Sequence, residues 1–155
     1  MKIVKCMKYT SEILINEPIS EVIKKYSSTA NLKHWQTGLI STEHISGNPS
    51  EIGATMRLIF SFGKRKMEII ETVTKQDFPN ELHLTYTTNG VRNIQENYFK
   101  GLENNTTKWI SKTECQPTNF KMSVMLFLMP SLFKKQTETY MSNFKNFVEQ
   151  GTSIC

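Results

Sequence analysis

The spacing of apolar and polar positions changes its period along the chain, and each change marks an element. Over 9–17, "YTSEILINE", Ile13 and Ile15 alternate with polar neighbours, which predicts a first strand. Pro18 suits the first turn of a helix, where its missing N–H would have no partner anyway. In "PISEVIKKYSS" (18–28), Ile19, Val22, Ile23 and Tyr26 then recur on one helical face. A second short helix is expected at 31–36, "NLKHWQ", ended by Gly38. Strand signals follow at 39–46, 53–62, 66–77, 81–88, 91–100 and 106–116. Between them lie the turn sequences "SGNPSEIG", "GKR", "DFPNE", Asn89-Gly90 and "GLENN". Asn-Gly is the strongest hairpin signal among them, because both residues tolerate positive φ.

"QPTN" closes the strands, and one long helical stretch is predicted over 119–149, ending at Gly151. In its second half Phe133, Tyr140, Phe144 and Phe147 share helical spacing, with Lys134, Lys135, Glu138, Lys145 and Glu149 elsewhere around the circumference. The first half, 122–129, is apolar all round, so cover on more than one side is expected. Pro130 removes a backbone donor and clashes with the preceding turn, which predicts a kink or break near 129–130. The order of elements is α+β: a strand, two short helices, six further antiparallel strands and a long C-terminal helix. No repeat or linker interrupts it, so 1–155 is read as a single domain.

Composition and charge narrow the functional classes. The run Met122 to Phe133 spans 12 residues, whereas a membrane-spanning helix needs roughly 20, so stable membrane insertion is not expected. Lysines at 2, 5 and 8 and a glutamate at 12 leave no uninterrupted apolar core for a signal peptide, and a cytoplasmic location is expected. Cys6, Cys115 and Cys155 show no CxxC spacing, and an odd number cannot be fully paired within one chain, which suits a reducing compartment. The net charge is +5. Its densest run, "GKRK" (63–66), is short and has no interleaved aromatic residues. It reads as a solvated hairpin tip rather than a nucleic-acid site.

Four stretches carry a resemblance to a known family: "INEPISEVIKKYSS", "LKHWQTGLISTEHISGNPSEIGATMRL", "IETVTKQDFPNELHLTY" and "MSNFKNFVEQG". Taken together, over about 9–150, they resemble the SRPBCC superfamily, the START and birch-pollen-allergen-like proteins. Within it they look most like the polyketide cyclase/dehydrase and lipid-transport branch. The resemblance implies a helix-grip fold: a seven-stranded curved antiparallel sheet wrapped around the long C-terminal helix, with two short helices after strand 1. It also implies an apolar cavity between sheet and helix for a hydrophobic small molecule. These motifs serve the architecture, and a fold does not settle a function.

Catalytic signatures are mostly missing. There is no GxSxG, HExxH, phosphate-binding glycine loop or Cys/His cluster at metal spacing, so neither metal nor cofactor is expected. His34, His44 and His83 fall in different elements. His34, beside Trp35, is either part of a cavity entrance or a partly exposed surface residue.

Strand alternation supplies the cavity candidates. On 53–62, Met56, Leu58, Phe60 and Phe62 share one face. On 81–88, Leu82, Leu84 and Tyr86 point inward if His83, Thr85 and Thr87 point out. On 106–116, Lys108, Lys112 and Glu114 outside put Trp109, Ser111, Thr113 and Cys115 inside. Each of these side chains either lines a cavity or fills the core. On 91–100, exposing Arg92, Glu96 and Lys100 turns Asn93, Gln95 and Asn97 inward with Phe99. The opposite register buries charges at greater cost, so a row of amides is expected to set ligand specificity. Glu71 shares the more apolar face of 66–77 with Met67, Ile69 and Val73. It is either a buried acid or base of raised pKa, or a carboxylate paired with Arg57 or a lysine. Trp35, and on the last helix Met125, Met129, Phe133 and Tyr140, join the ligand-binding candidates, and 122–133 is a candidate homodimer contact.

The favoured expectation is a binder or carrier of a hydrophobic small molecule. A cyclase/dehydrase-type enzyme using Glu71, Tyr86 or His34 is the alternative, and a co-chaperone-like interaction module is a third. A solid core with a large exposed apolar patch would mark the third.

Overall fold

The computed structural model describes residues 6–49 and 51–155. The basic start of the chain, which carried part of the signal-peptide argument, and Ser50 of the turn at 46–53 lie outside those residues.

Strand β1 (Met7–Ile15) leads through Pro18 into α1 (Ile19–Tyr26) and a 3₁₀ helix (Thr29–His34). Six strands follow: β2 (Leu39–Ser46), β3 (Thr55–Phe62), β4 (Arg65–Asp77), β5 (Glu81–Thr88), β6 (Val91–Leu102) and β7 (Thr106–Pro117). Helices α2 (Phe120–Leu128) and α3 (Ser131–Gln150) complete the chain. The seven strands form one antiparallel sheet in the order β1-β7-β6-β5-β4-β3-β2. Register shifts between Leu39 and Ser41, His44 and Ser46, and Val73 and Lys75 add residues to one strand of a pair, which bends the sheet. Helix α3 packs against β1, α1 and the 3₁₀ helix. This is the expected helix-grip arrangement.

The core lies where α3 crosses the inner face of the sheet. Phe144, Ile15, Val22 and Leu58 are fully buried there. Tyr26, Trp35, Trp109 and Phe144 interlock with ring centroids 5.2–6.2 Å apart. Most of these pairs are edge-to-face, the geometry in which ring quadrupoles attract. Gly151 ends α3 in the left-handed region (φ 70°), and its N–H donates to the Phe147 carbonyl.

The break expected near 129–130 is present: the C-terminal stretch is two helices, separated at Met129 and Pro130. Met129 precedes the proline and leaves the helical region (φ −132°, ψ 60°), as the bulk of the proline ring requires of the residue before it. The start of α2 is separately fixed by Asn119, whose Oδ1 accepts from the Met122 N–H at 2.8 Å. The cover expected over 122–129 on more than one side needs correction. Helix α2 packs on β7 and buries Leu126 and Ser123, but Phe127 and Leu128 are each 68% exposed and Met129 is 48% exposed. No helix among the described residues is long and apolar enough to cross a membrane.

Two cavities between the sheet and the helices

A cavity of about 630 Å³ lies between the inner face of the sheet and helices α2 and α3. The pleat puts its floor in place: Leu58 and Phe60 come from β3, Tyr86 from β5, Asn93 and Gln95 from β6, and Trp109 from β7. The roof comes from Met125 on α2 with Phe133 and Tyr140 on α3, and Trp35 lines the cavity as well. All ten were singled out by sequence pattern. The register of β6 explains the amides. Asn93 pairs with Tyr86 and Cys115, and Gln95 pairs with Leu84 and Thr113, so both sit on the face that carries the core. Arg92 and Lys100, on the other face, are exposed. The register that would have buried them is absent.

Asn97 shares that face but lines neither cavity. It is fully buried; its Nδ2 donates to Gln95 Oε1 at 3.1 Å and its Oδ1 accepts from Trp109 Nε1 at 3.0 Å. It therefore satisfies the indole and holds Gln95 in place, a structural duty in place of the expected ligand contact. Three groups on the cavity wall have no protein hydrogen-bond partner among the described residues: Asn93 Oδ1, Thr113 Oγ1 and Trp35 Nε1. An apolar chamber with this small polar set can orient a ligand as well as enclose it.

A second cavity, about 320 Å³, lies under α1 and the 3₁₀ helix. It holds Met56 and Glu71, with Tyr86 and Trp35 shared between the two cavities. Glu71 pairs in register with Met56 on one side and Tyr86 on the other. Burial pushes its carboxyl up to about 7, against a smaller opposing pull from the Tyr86 hydroxyl hydrogen bond. Burial, and then the nearby Glu71 carboxylate, likewise raise the Tyr86 hydroxyl well above its usual value. Arg57, the alternative partner for Glu71, points from the outer face and pairs with Glu43 and Glu68. Glu71 and Tyr86 thus form a proton-holding pair facing a cavity, the arrangement that general acid–base chemistry uses.

His34 does not join them. Its ring stacks on Phe147 at 4.9 Å, and its Nδ1 lies 2.8 Å from Ser153 Oγ, away from both cavities. Met129 is also outside both, carried to the surface by the break before Pro130.

Several wall residues escaped the sequence-based set, notably Tyr9, Tyr26, Met67 and Gln136. The signal for Tyr9 was present. The alternation that turns Ile13 inward, opposite Trp109, continues back through Ser11 to Tyr9, opposite Thr113. Its hydroxyl lies 2.8 Å from Thr137 Oγ1 and donates to the Phe133 carbonyl at 3.2 Å, tying β1 to the start of α3. Gln136 stands four residues before Tyr140 and donates to its hydroxyl at 3.2 Å.

No family model and no curated protein matches the chain. Solved structures do match it. A Staphylococcus aureus protein of unknown function, SA2116, superposes with a TM-score of 0.78 at 12% identity, covering 96% of each chain. TTHA0849 of Thermus thermophilus gives 0.76 at 14% identity, over 94% of this chain and 99% of that one. Norcoclaurine synthase of Thalictrum flavum, in complex with dopamine and hydroxybenzaldehyde, gives 0.71 at 14% identity, over 97% and 90%. Identities this low speak to architecture alone, and on that point they agree with the topology. The chain has the helix-grip fold that the sequence resemblance implied.

Proposed function

We propose that this protein binds or carries a hydrophobic small molecule, of lipid or polyketide-like character, in the larger cavity. The observation that carries the reading is the chamber itself. Its volume of about 630 Å³ falls in the range that suits small-molecule sites, roughly 300–1,000 Å³. Its walls are largely aromatic and aliphatic, with polar residues such as Gln95 and Gln136 among them and the Asn93, Thr113 and Trp35 groups left without a protein partner among the described residues. Membership of the polyketide cyclase/dehydrase and lipid-transport branch, and a cytoplasmic location, belong to the same proposal. A solid core together with a large exposed apolar patch was the mark of an interaction module; α2 does carry exposed apolar residues, and the chamber is what weighs against that alternative.

Native mass spectrometry of freshly purified protein, with extraction and identification of any retained molecule, tests the reading. A hydrophobic adduct that disappears on denaturation is the expected result. A chain that neither retains nor takes up lipids or aromatic polyketides would overturn it.

A second reading has its own observation. Glu71, on the smaller cavity, and Tyr86, which lines both, form a pair of buried groups with raised pKa values. A cyclase or dehydrase would use the chamber to fold a reactive chain and this pair to move protons. Turnover of an activated acyl substrate that falls at least about a hundredfold in Glu71→Gln supports it; unchanged turnover in the variant removes Glu71 from that role.

A further inference from the structure

Three connections meet at one end of the sheet: the β3–β4 hairpin (61–67), the β5–β6 turn (87–92), and the stretch from the end of β7 through α2 into α3 (118–137). Register fixes their company. Phe62 pairs with Arg65, Thr88 with Val91, and Val91 with Pro117, while the Thr118 N–H donates to the Gly90 carbonyl at 2.8 Å. The larger cavity reaches this end, because Phe62, Met67, Asn89, Met122 and Leu132 all line it.

Charge is sorted along the molecule. These three segments contain Lys64, Arg65, Lys66, Arg92, Lys121, Lys134 and Lys135, and no aspartate or glutamate. They hold seven of the 19 basic residues and none of the 14 acidic ones, which leaves 12 basic against 14 acidic in the rest of the chain. The positive excess therefore sits at this end even when Glu68, which the register places nearer the tip than Arg92, is counted in it. All seven side chains are exposed, and none is in an ion pair among the described residues. Among them protrude Phe120, Phe127, Leu128, Met129 and Leu132, each 45–68% exposed. Isolated exposed apolar residues are ordinary, but a cluster ringed by unpaired cations is not.

The occupant must be apolar at the centre and anionic at the rim. A second copy of the chain satisfies the first condition and fails the second, since pairing these faces would set seven cations against seven. A bilayer with anionic headgroups satisfies both. Helix α2, with nine residues, is about 13 Å long, enough to lie in the headgroup layer and too short to cross. We propose that this end of the molecule docks on the surface of a membrane containing anionic lipid. Phe127, Leu128 and Met129 enter the acyl boundary, and the seven cations face the headgroups. The docking stands whether or not the cavity holds a ligand. When it does, the open end of the chamber faces the membrane.

Co-sedimentation of the full chain with phosphatidylcholine vesicles, with and without about 30% phosphatidylserine, tests the proposal. Binding is expected to the anionic vesicles, at least about tenfold weaker to the neutral ones, and to weaken as salt rises. Neutralising Lys121 and Lys134 with glutamine should lower partitioning roughly fivefold for each lysine. Phe127→Asp with Leu128→Asp should abolish it. These side chains are exposed and outside both cavities, so melting temperature and ligand uptake should stay at wild-type values, which separates failure of docking from failure of the cavity reading. Absent binding, equal binding to both vesicle types, or binding retained in these variants would overturn the proposal. So would a lipid-free dimer that Phe127→Asp dissolves while the vesicles pull down nothing.

Discussion

The charge state of Glu71 makes a quantitative prediction about stability. In the unfolded chain its carboxyl titrates near 4.5; in the folded protein, burial pushes it up to about 7. Between those values the folded state holds a proton that the unfolded state has released, so stability falls as pH rises across this window. Below 4.5 the group contributes no difference, and above 7 its penalty is constant. At roughly 1.4 kcal/mol per pH unit the full displacement is worth about 3 kcal/mol. Water entering the adjoining cavity screens the charge, so about 2 kcal/mol is the expected observable.

Glu71→Gln keeps the volume and an oxygen to accept from Tyr86, but cannot ionise. The variant should match the wild type within about 0.5 kcal/mol at pH 4.5 and exceed it by about 2 kcal/mol at pH 8. For a chain of 155 residues, that is about 4–8 °C in Tm. Urea denaturation of both proteins at half-unit intervals from pH 4.5 to 8 is the assay. Carboxyls with lowered values, Glu81 and Glu149, add an opposite slope, but both proteins carry them, so the difference curve isolates Glu71. A difference that is flat across the range, or that rises toward acid, would refute the argument that Glu71 is held without a cation in a poorly hydrated site.

Other perturbations probe the chamber and its supports. Asn97→Leu leaves the Trp109 N–H buried without its 3.0 Å partner, and should cost about 2–3 kcal/mol in chemical denaturation. Leu58→Trp, at a fully buried position on the floor, should reduce uptake of a hydrophobic probe at least about tenfold by occupying the chamber, read by fluorescence titration. Tyr9→Phe removes the hydroxyl contacts with Thr137 and Phe133. It should cost about 1 kcal/mol and speed backbone hydrogen exchange in the first turns of α3.

The sheet was legible in the sequence because each strand carries its own solution to a two-way choice. In β6, Arg92, Glu96 and Lys100 share a parity, so one register buries three charges and the other three amides. Alternation also decides the partner of Glu71. Placing Leu58 inside and Glu71 inside already separates Glu71 from Arg57, which must lie on the outer face beside Glu43 and Glu68. Depth along a face is a different matter. Asn93, Gln95 and Asn97 have the same parity, yet Asn97 alone sits behind the cavity wall, because Leu82 and Ser111 flank it and the Trp109 indole occupies its carbonyl. That contact joins residues on two strands and depends on how far the chamber extends, which periodicity does not encode.

Helix α2 shows the limit from the other side. An apolar circumference means either that several surfaces enclose the helix or that it protrudes toward something apolar, and the side chains are the same in both cases. The neighbours decide. Here β7 supplies one wall, while the α1 and 3₁₀ helices roof the second cavity. Pro130 fixes the consequence, since it interrupts the helix that the sheet grips and frees the preceding turn to project. What the sequence did contain was the company of that turn: Lys121 before it, Lys134 and Lys135 after it, and no carboxylate between. A buried helix has no use for cations at both ends. A helix meant to lie against an anionic surface does.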